Sequence, residues 1–357
     1  MSRRQFIKML LSFVGVIAAS LLGLWKWLGR DIEAAVEPPK PIPPATTTPN
    51  LASAPAAATT ATASTTEPLF SFMILSDTHV NSYAAEQSDK LRKALDDITS
   101  FESKVETVLI TGDITDSGTE SDYREYNKII KDYSKKLPPL HANMGNHDYY
   151  SIWIDKHGQW DKDAMPNGKS DAQSRKAFIS QFKMDQIYHD FYVNGYHIIM
   201  LSQEAYVQEK PEVGEGAWYS DAQMAWFKQK MEPHKDGSPV FVMIHQPLPS
   251  IGQDGATHQL IRAKEFRSIL KPYSNVFVFS GHRHENFRAG QHYTPESFHW
   301  FHNASVGRTR SLSQNSPLTS QGLYVQVYSD RVTLRAREFM DRTWIKEGNW
   351  SIPLKRA

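Results

Sequence analysis

Five times along this chain an apolar run of strand length breaks off into a short cluster of metal-binding or proton-transferring residue types. Phe70–Leu75 runs into Asp77-Thr78-His79, and 107–110 into Gly112-Asp113-Ile114-Thr115-Asp116. Residues 140–144 run into Gly145-Asn146-His147-Asp148, 240–244 into His245, and 276–279 into Gly281-His282-Arg283-His284. Between these runs the spacing is helical: Leu91, Leu95 and Ile98 within 88–101, and Tyr126, Ile129 and Ile130 within 121–133. Asp221–Met231 and 262–270 read the same way, and 322–339 alternates like a hairpin turning at Ser329-Asp330. Short β-branched runs alternating with amphipathic helices predict a layered α/β domain. In such folds binding sites gather where loops leave the carboxyl ends of strands, and every cluster stands at such a point.

The clusters supply carboxylates, imidazoles and one side-chain amide, donors enough for two metal ions. Asp113 after a tight glycine turn offers two oxygens, so one carboxylate can bridge. Nitrogen and oxygen donors without sulfur favour Mn, Fe, Zn, Co or Ni over calcium. Two ions roughly 3.5–4 Å apart clamp a phosphoryl group for in-line attack. Taken singly, Asp113 fits a turn former, Asn146 a residue tolerant of positive φ, and His245 a packed core histidine. It is the joint set, in order, that points to a metal site. The other histidines, His258 among them, match no motif.

In this order D-x-H, G-D-x-x-D, G-N-H-D, H and G-H-x-H resembles the signature of calcineurin-like metallophosphoesterases. The resemblance covers the chain from about Phe70 to its C-terminal strands. It implies a four-layer αββα sandwich, two packed mixed β-sheets flanked by helices. It implies two transition-metal ions (Mn, Fe or Zn), one held by Asp77, His79 and His284, the other by Asn146, His245 and His282, with Asp113 bridging. It also implies a hydroxide of the metal pair as nucleophile, His147 as the acid, and Asp116 as the carboxylate orienting that imidazole. The expected substrate is a small phosphoester. The arginine that follows G-D-x-x-D in protein serine/threonine phosphatases is absent, since Ser117-Gly118 stands there. Asp116 occupies the place of the tyrosine ligand of purple acid phosphatases. The segment 112–123 looks most like the branch of class III cyclic-nucleotide and glycerophosphodiester phosphodiesterases. A phosphodiesterase is therefore expected, with a phosphomonoesterase on the same site and a non-catalytic metal-containing module as alternatives.

Ser2-Arg3-Arg4-Gln5-Phe6-Ile7-Lys8 resembles a twin-arginine export motif, with an apolar run from Met9 to about Trp25 behind it. Residues 1–30 are thus expected to engage the twin-arginine translocase and, with no small-x-small site just after the apolar run, to stay as a membrane anchor. Residues 31–68, rich in Pro, Ala and Thr, read as a linker, and 69–357 as the metallophosphoesterase domain. The expected location is the extracytoplasmic face of the bacterial cell membrane, or the exterior if the signal is cleaved. A net charge of +1 and the lack of a basic, aromatic stripe give no sign of nucleic-acid binding. With no cysteine, disulfides, thiolate metal sites and a cysteine nucleophile are excluded.

Overall fold

The computed structural model of this chain describes residues 67–355. The expectations for the twin-arginine motif, the anchor and nearly all of the linker lie outside the described residues. Among the described residues no helix is long and apolar enough to cross a membrane.

Strand β1 (Phe70–Leu75) is buried at every position, yet its two faces serve different cores. Successive side chains of a strand point to opposite faces. Phe70, Phe72 and Ile74 enter one apolar cluster, while Met73 and Leu75 enter another. A strand covered on both sides belongs in the middle of a multilayer protein. β2 (Val108–Thr111) and β3 (Leu140–Asn143) run parallel to it. β10 (Gln321–Val327) pairs antiparallel on its other side, followed by β11 (Arg331–Glu338) and β12 (Thr343–Pro353). The first sheet thus has the order β12-β11-β10-β1-β2-β3.

The second sheet contains β4 (His189–Val193), β5 (Tyr196–Met200), β6 (Val240–Met243), β7 (Val276–Ser280), β8 (Tyr293–Pro295) and β9 (His299–His302) in the order β4-β5-β6-β7-β9-β8. Its four central strands are parallel and its two edges antiparallel. Between the sheets lies a core in which Phe72, Ile74, Val325 and Leu334 of the first meet Met200, Phe241 and Phe279 of the second. Outside the first sheet pack α1 (Ala85–Thr99) and α2 (Glu120–Tyr133), burying Leu91, Leu95, Ile98 and Ile129. α3 (Asp171–Phe182) adds Phe178 to this layer. Outside the second pack α4 (Asp221–Met231) and α5 (Ala263–Leu270), through Met224, Phe227, Phe266 and Leu270. The four layers are the expected α/β sandwich of two mixed sheets.

Four strands, β4, β8, β9 and β12, and one helix were not expected from sequence. β4, β8 and β12 are edge strands whose residues are partly exposed, so they lack the unbroken apolar run of the central strands. α3 has little segregation of apolar residues, so its helical period is faint in the sequence. Its start is set by Ser170, whose hydroxyl accepts from Gln173 N–H at 3.2 Å.

One buried ion pair fastens α1 to the first sheet. Arg337 of β11 donates from Nε (2.7 Å) and Nη2 (2.9 Å) to the Asp97 carboxylate. Both residues are buried, and the guanidinium also lies over the Trp344 ring. Removing one partner of such a pair costs about 3–5 kcal/mol, because the other charge stays buried alone. Asp97→Ala should lower the unfolding free energy in urea by about that amount, and Arg337→Met in the same chain should restore most of it. A loss of the ~1 kcal/mol size typical of an exposed pair would contradict this.

Candidate metal centre

The clusters converge because the parallel strands of both sheets end at one rim. Asp77 and His79 follow β1, Asp113 follows β2, and Asn146 and His147 follow β3. His245 follows β6, and His282 and His284 follow β7. The loops meet closely enough to need glycine. A Cβ on Gly112, which has φ +80°, would sit 2.3 Å from His245 Nδ1, and one on Gly145 would sit 2.2 Å from Asp113 Oδ1. Asp77, His79, Asp113, His282 and His284 all have positive φ, between 46° and 76°. A left-handed backbone costs a residue with a side chain on the order of 1–3 kcal/mol. Five in one place mark a site where geometry is imposed on the chain.

Three clusters of possible donors occur among the described residues: His79, Asp116 and His147 form one, and two more share Asp113. Asp77, His79, Asp113 and His284 form the first of these two, and Asp113, His245 and His282 the second. In the first, His284 Nε2 lies 3.0 Å from Asp77 Oδ1 and 2.9 Å from His79 Nε2. In the second, Asn146 Oδ1 is 3.1 Å from His245 Nε2 and 3.0 Å from His282 Nδ1, so the amide oxygen joins this group. His245 Nδ1 lies 2.7 Å from the Thr111 carbonyl, which can only accept. That ring nitrogen therefore carries a hydrogen, and Nε2 is the atom that faces Asp113 Oδ2, at 3.2 Å.

Asp113 Oδ2 is buried without a hydrogen-bond donor. Lone pairs crowded this way need a cation among them, so the residues fit a metal. The protonation behaviour agrees. Burial opposes charge on His245, yet the neighbouring Asp113 and Asp77 raise its pKa to about 9, so it would hold a proton in a metal's place. Burial, with His147 nearby, pulls His79 down to about 3, and burial, with His245 nearby, does the same to His282. Both are neutral imidazoles at pH 7, the form that binds metal.

His147 lies beside the first group, with its ring perpendicular to His79 at 4.4 Å between centroids. Its Nδ1 lies 2.8 Å from the Asp116 backbone carbonyl. The Asp116 carboxylate is shared: Oδ1 is 3.4 Å from His147 Nδ1 and 3.3 Å from His79 Nδ1. Asp116 was expected to orient His147 alone, but it touches both rings. Arg308 grips the same carboxylate at 2.7 Å and Tyr83 donates its hydroxyl to it.

Sequence reasoning gave no role to Arg308, Tyr83, Asp148 and Glu215. Asp148 accepts from the amides of Thr115 and Gly145, both at 3.1 Å, and so ties the loop after β2 to the loop after β3. Tyr150 stacks on His147 at 4.0 Å. Glu215 accepts from Asn146 Nδ2 at 2.7 Å, from Tyr150 at 2.8 Å and from Tyr206 at 2.7 Å. It thereby turns the Asn146 oxygen towards His245 and His282. The one available signal was a carboxylate set between Gly214 and Gly216. His258, given no role from sequence, places Nδ1 3.3 Å from His282 Nε2. Beyond Asp148, Tyr150 lines the site cavity, Tyr149, Ile152 and Phe178 fill the core, and Trp160 is exposed.

Comparison with known proteins places this arrangement among others. The sequence model of the family described as calcineurin-like phosphoesterase matches residues 70–286. A probable cyclic nucleotide phosphodiesterase of Rhodococcus erythropolis is 24% identical over 217 residues, 59% of this chain and 63% of that protein. A cAMP/cGMP dual specificity phosphodiesterase of Mycobacterium tuberculosis is 21% identical over 230 residues, 62% of this chain and 64% of its own length. The chain thus spans a little under two thirds of these relatives. The structure of a dimetal phosphatase from Danio rerio superposes with a TM-score of 0.56 at 14% identity, over 81% of this chain and 100% of that one, a likeness of fold.

Partners that orient a metal-binding side chain typically contribute 10–100-fold to metal affinity. Glu215→Ala frees the Asn146 amide to rotate. It should weaken retention of added Mn2+ about 10–100-fold in equilibrium dialysis, with an unchanged far-UV CD spectrum. Unaltered retention would show that Asn146 needs no such partner.

Proposed function

The chain belongs to the calcineurin-like phosphoesterase family, and on that premise we propose that it is a metal-dependent phosphodiesterase with a two-ion centre. The observation carrying this reading is the buried Asp113 carboxylate. Its Oδ2 has no donor and faces His245 Nε2 at 3.2 Å and His79 Nε2 at 3.8 Å. Asp77, His79 and His284 would hold one ion, Asn146, His245 and His282 the other, and Asp113 both. The bound ions would lower the pKa of water towards 7 and neutralise charge on the phosphoryl oxygens.

The protein's own groups do the rest. The hydrogen on His147 Nδ1 points at the Asp116 carbonyl, which leaves Nε2 for the cavity. Tyr150 holds the plane of the ring by stacking. Burial works against charge on His147, but the Asp113 and Asp116 carboxylates raise its pKa above the ordinary value. A charged imidazole so placed can bind a phosphate oxygen. It can also pass its Nε2 proton to the leaving alcohol oxygen as that P–O bond breaks and the bond from water forms. Asp116, clamped by Arg308, keeps His79 and His147 in register with each other.

The diester preference draws support from the relatives, whose names describe phosphodiesterases. Two ions of the Mn, Fe or Zn type suit the mixed donor set. Twin-arginine export and attachment to the outer face of the membrane belong to the same proposal and rest on residues 2–25.

Purified protein loaded with Mn2+ should hydrolyse bis-p-nitrophenyl phosphate faster than p-nitrophenyl phosphate, and EDTA should abolish both rates. A monoester preference would make it a phosphatase. Asp113→Ala should lose bound metal and activity together while the CD spectrum is kept. His147→Ala should lower kcat about 10²–10⁴-fold at unchanged metal content; loss of metal instead would make His147 a ligand.

A further inference from the structure

The cavity over the metal centre does not end at the metal-binding residues. It has a volume of about 630 Å³ and is lined by Asp113, Asn146, His147, His282 and His284 on its inner side. Arg283, Glu285 and Arg310 form its outer wall. These same three residues line a second cavity of about 590 Å³, whose far side carries Trp300 and Leu312. Each volume is that of a small-molecule site, and the two have one wall in common.

The wall is fixed relative to the metal centre. Arg310 N–H donates to the His284 carbonyl at 2.8 Å, and Asn286 Nδ2 donates to the Arg310 carbonyl at 3.2 Å. Trp300 is tied in as well, since its Nε1 donates to Ser280 Oγ at 2.9 Å, two residues before His282. Among the described residues the Arg310 guanidinium has no ion-pair or hydrogen-bond partner, although it stands at the junction. Leu312 is 53% exposed. A lone exposed leucine needs no explanation, but this one shares a cavity with an indole.

We propose that the second cavity is a subsite for the other alcohol of the phosphodiester, and that this alcohol carries a flat apolar group of aromatic-ring size. This inference rests on the phosphodiesterase reading and narrows its substrate class. The scissile phosphate sits among the metal-binding residues. Arg310 faces the phosphate oxygens and the start of the arm at the junction, a task suited to a guanidinium group, while Arg283 beside it pairs with Glu285 at 3.8 Å. The aromatic end lies against Trp300 and Leu312, where ring packing and apolar burial favour it. A monoester has no arm to place there.

The test uses p-nitrophenyl phosphodiesters whose second alcohol is methanol, 2-phenylethanol or 4-phenylbutanol, with the Mn2+-loaded full-length protein. A phenylalkyl ester should exceed the methyl ester in kcat/KM by about tenfold, the size of one buried ring contact. Leu312→Ser should erase this preference, bringing the phenylalkyl ester down to the kcat/KM of the methyl ester. Binding is read independently by calorimetry with 4-phenylbutyl methylphosphonate, which p-nitrophenol release does not report. It should bind about tenfold tighter than methyl methylphosphonate, and Leu312→Ser should remove the difference. Turnover of all three esters at equal kcat/KM, with equal binding of the two phosphonates, would overturn the subsite and leave the phosphodiesterase reading standing. Tight, Leu312-dependent binding without turnover would keep the subsite and overturn the hydrolytic reading.

Discussion

Everything at the rim of the two sheets answers to one electrostatic constraint: donor atoms for a cation face one another across Asp113, and a positive charge, a proton on His245 or a metal ion, has to sit among them. Around Asp113 Oδ2, His245 Nε2, His79 Nε2 and the Asn146 amide oxygen are each turned inward by a partner on the outer side. Thr111 holds His245, Asp116 abuts His79, and Glu215 holds Asn146. Such an arrangement stores repulsion unless a cation enters. The surrounding structure must therefore be stiff enough to keep the groups facing. The two parallel strand sets supply that stiffness, and the left-handed backbone at five of the seven candidate metal-binding positions is its local cost.

The central fold was legible for a physical reason. β1, β2, β6 and β7 are buried on both faces, so they appear as unbroken apolar runs, and the polar residues that follow stand out sharply. Edge strands such as β4 and β12 must present polar residues to water, and their alternation fades into the loops around them. The legible part of the site has the same origin. Asp77, Asp113, Asn146, His245, His282 and His284 stand one to five residues beyond a recognisable strand. Glu215, Arg308 and His258 reach the site from loops with no strand signal of their own. Their roles exist only in three dimensions, through contacts with Asn146, Asp116 and His282.

This separation sorts the molecule by task. The groups suited to holding metal lie on strand ends anchored in the core. Tyr150, His258, Arg283 and Arg310, which line the cavity over that centre, lie on the outer turns. A change in those turns can alter which ester fits without moving the centre that would cleave it. Asp148 and Asp116 sit at the boundary, tying loop to loop so that the outer turns inherit the register of the inner ones.

Asp77 and His284, which lie 3.0 Å apart, are separated by 207 residues of chain. No half of this polypeptide contains either donor group in full, because each draws on both sheets. As the chain leaves the ribosome, its first half presents a few acidic and imidazole groups with the affinity of any loose surface cluster. The chelate comes into being only when β7 has emerged and packed beside β6. Metal choice is therefore deferred to the finished molecule, and the compartment in which folding ends decides which ion it meets first.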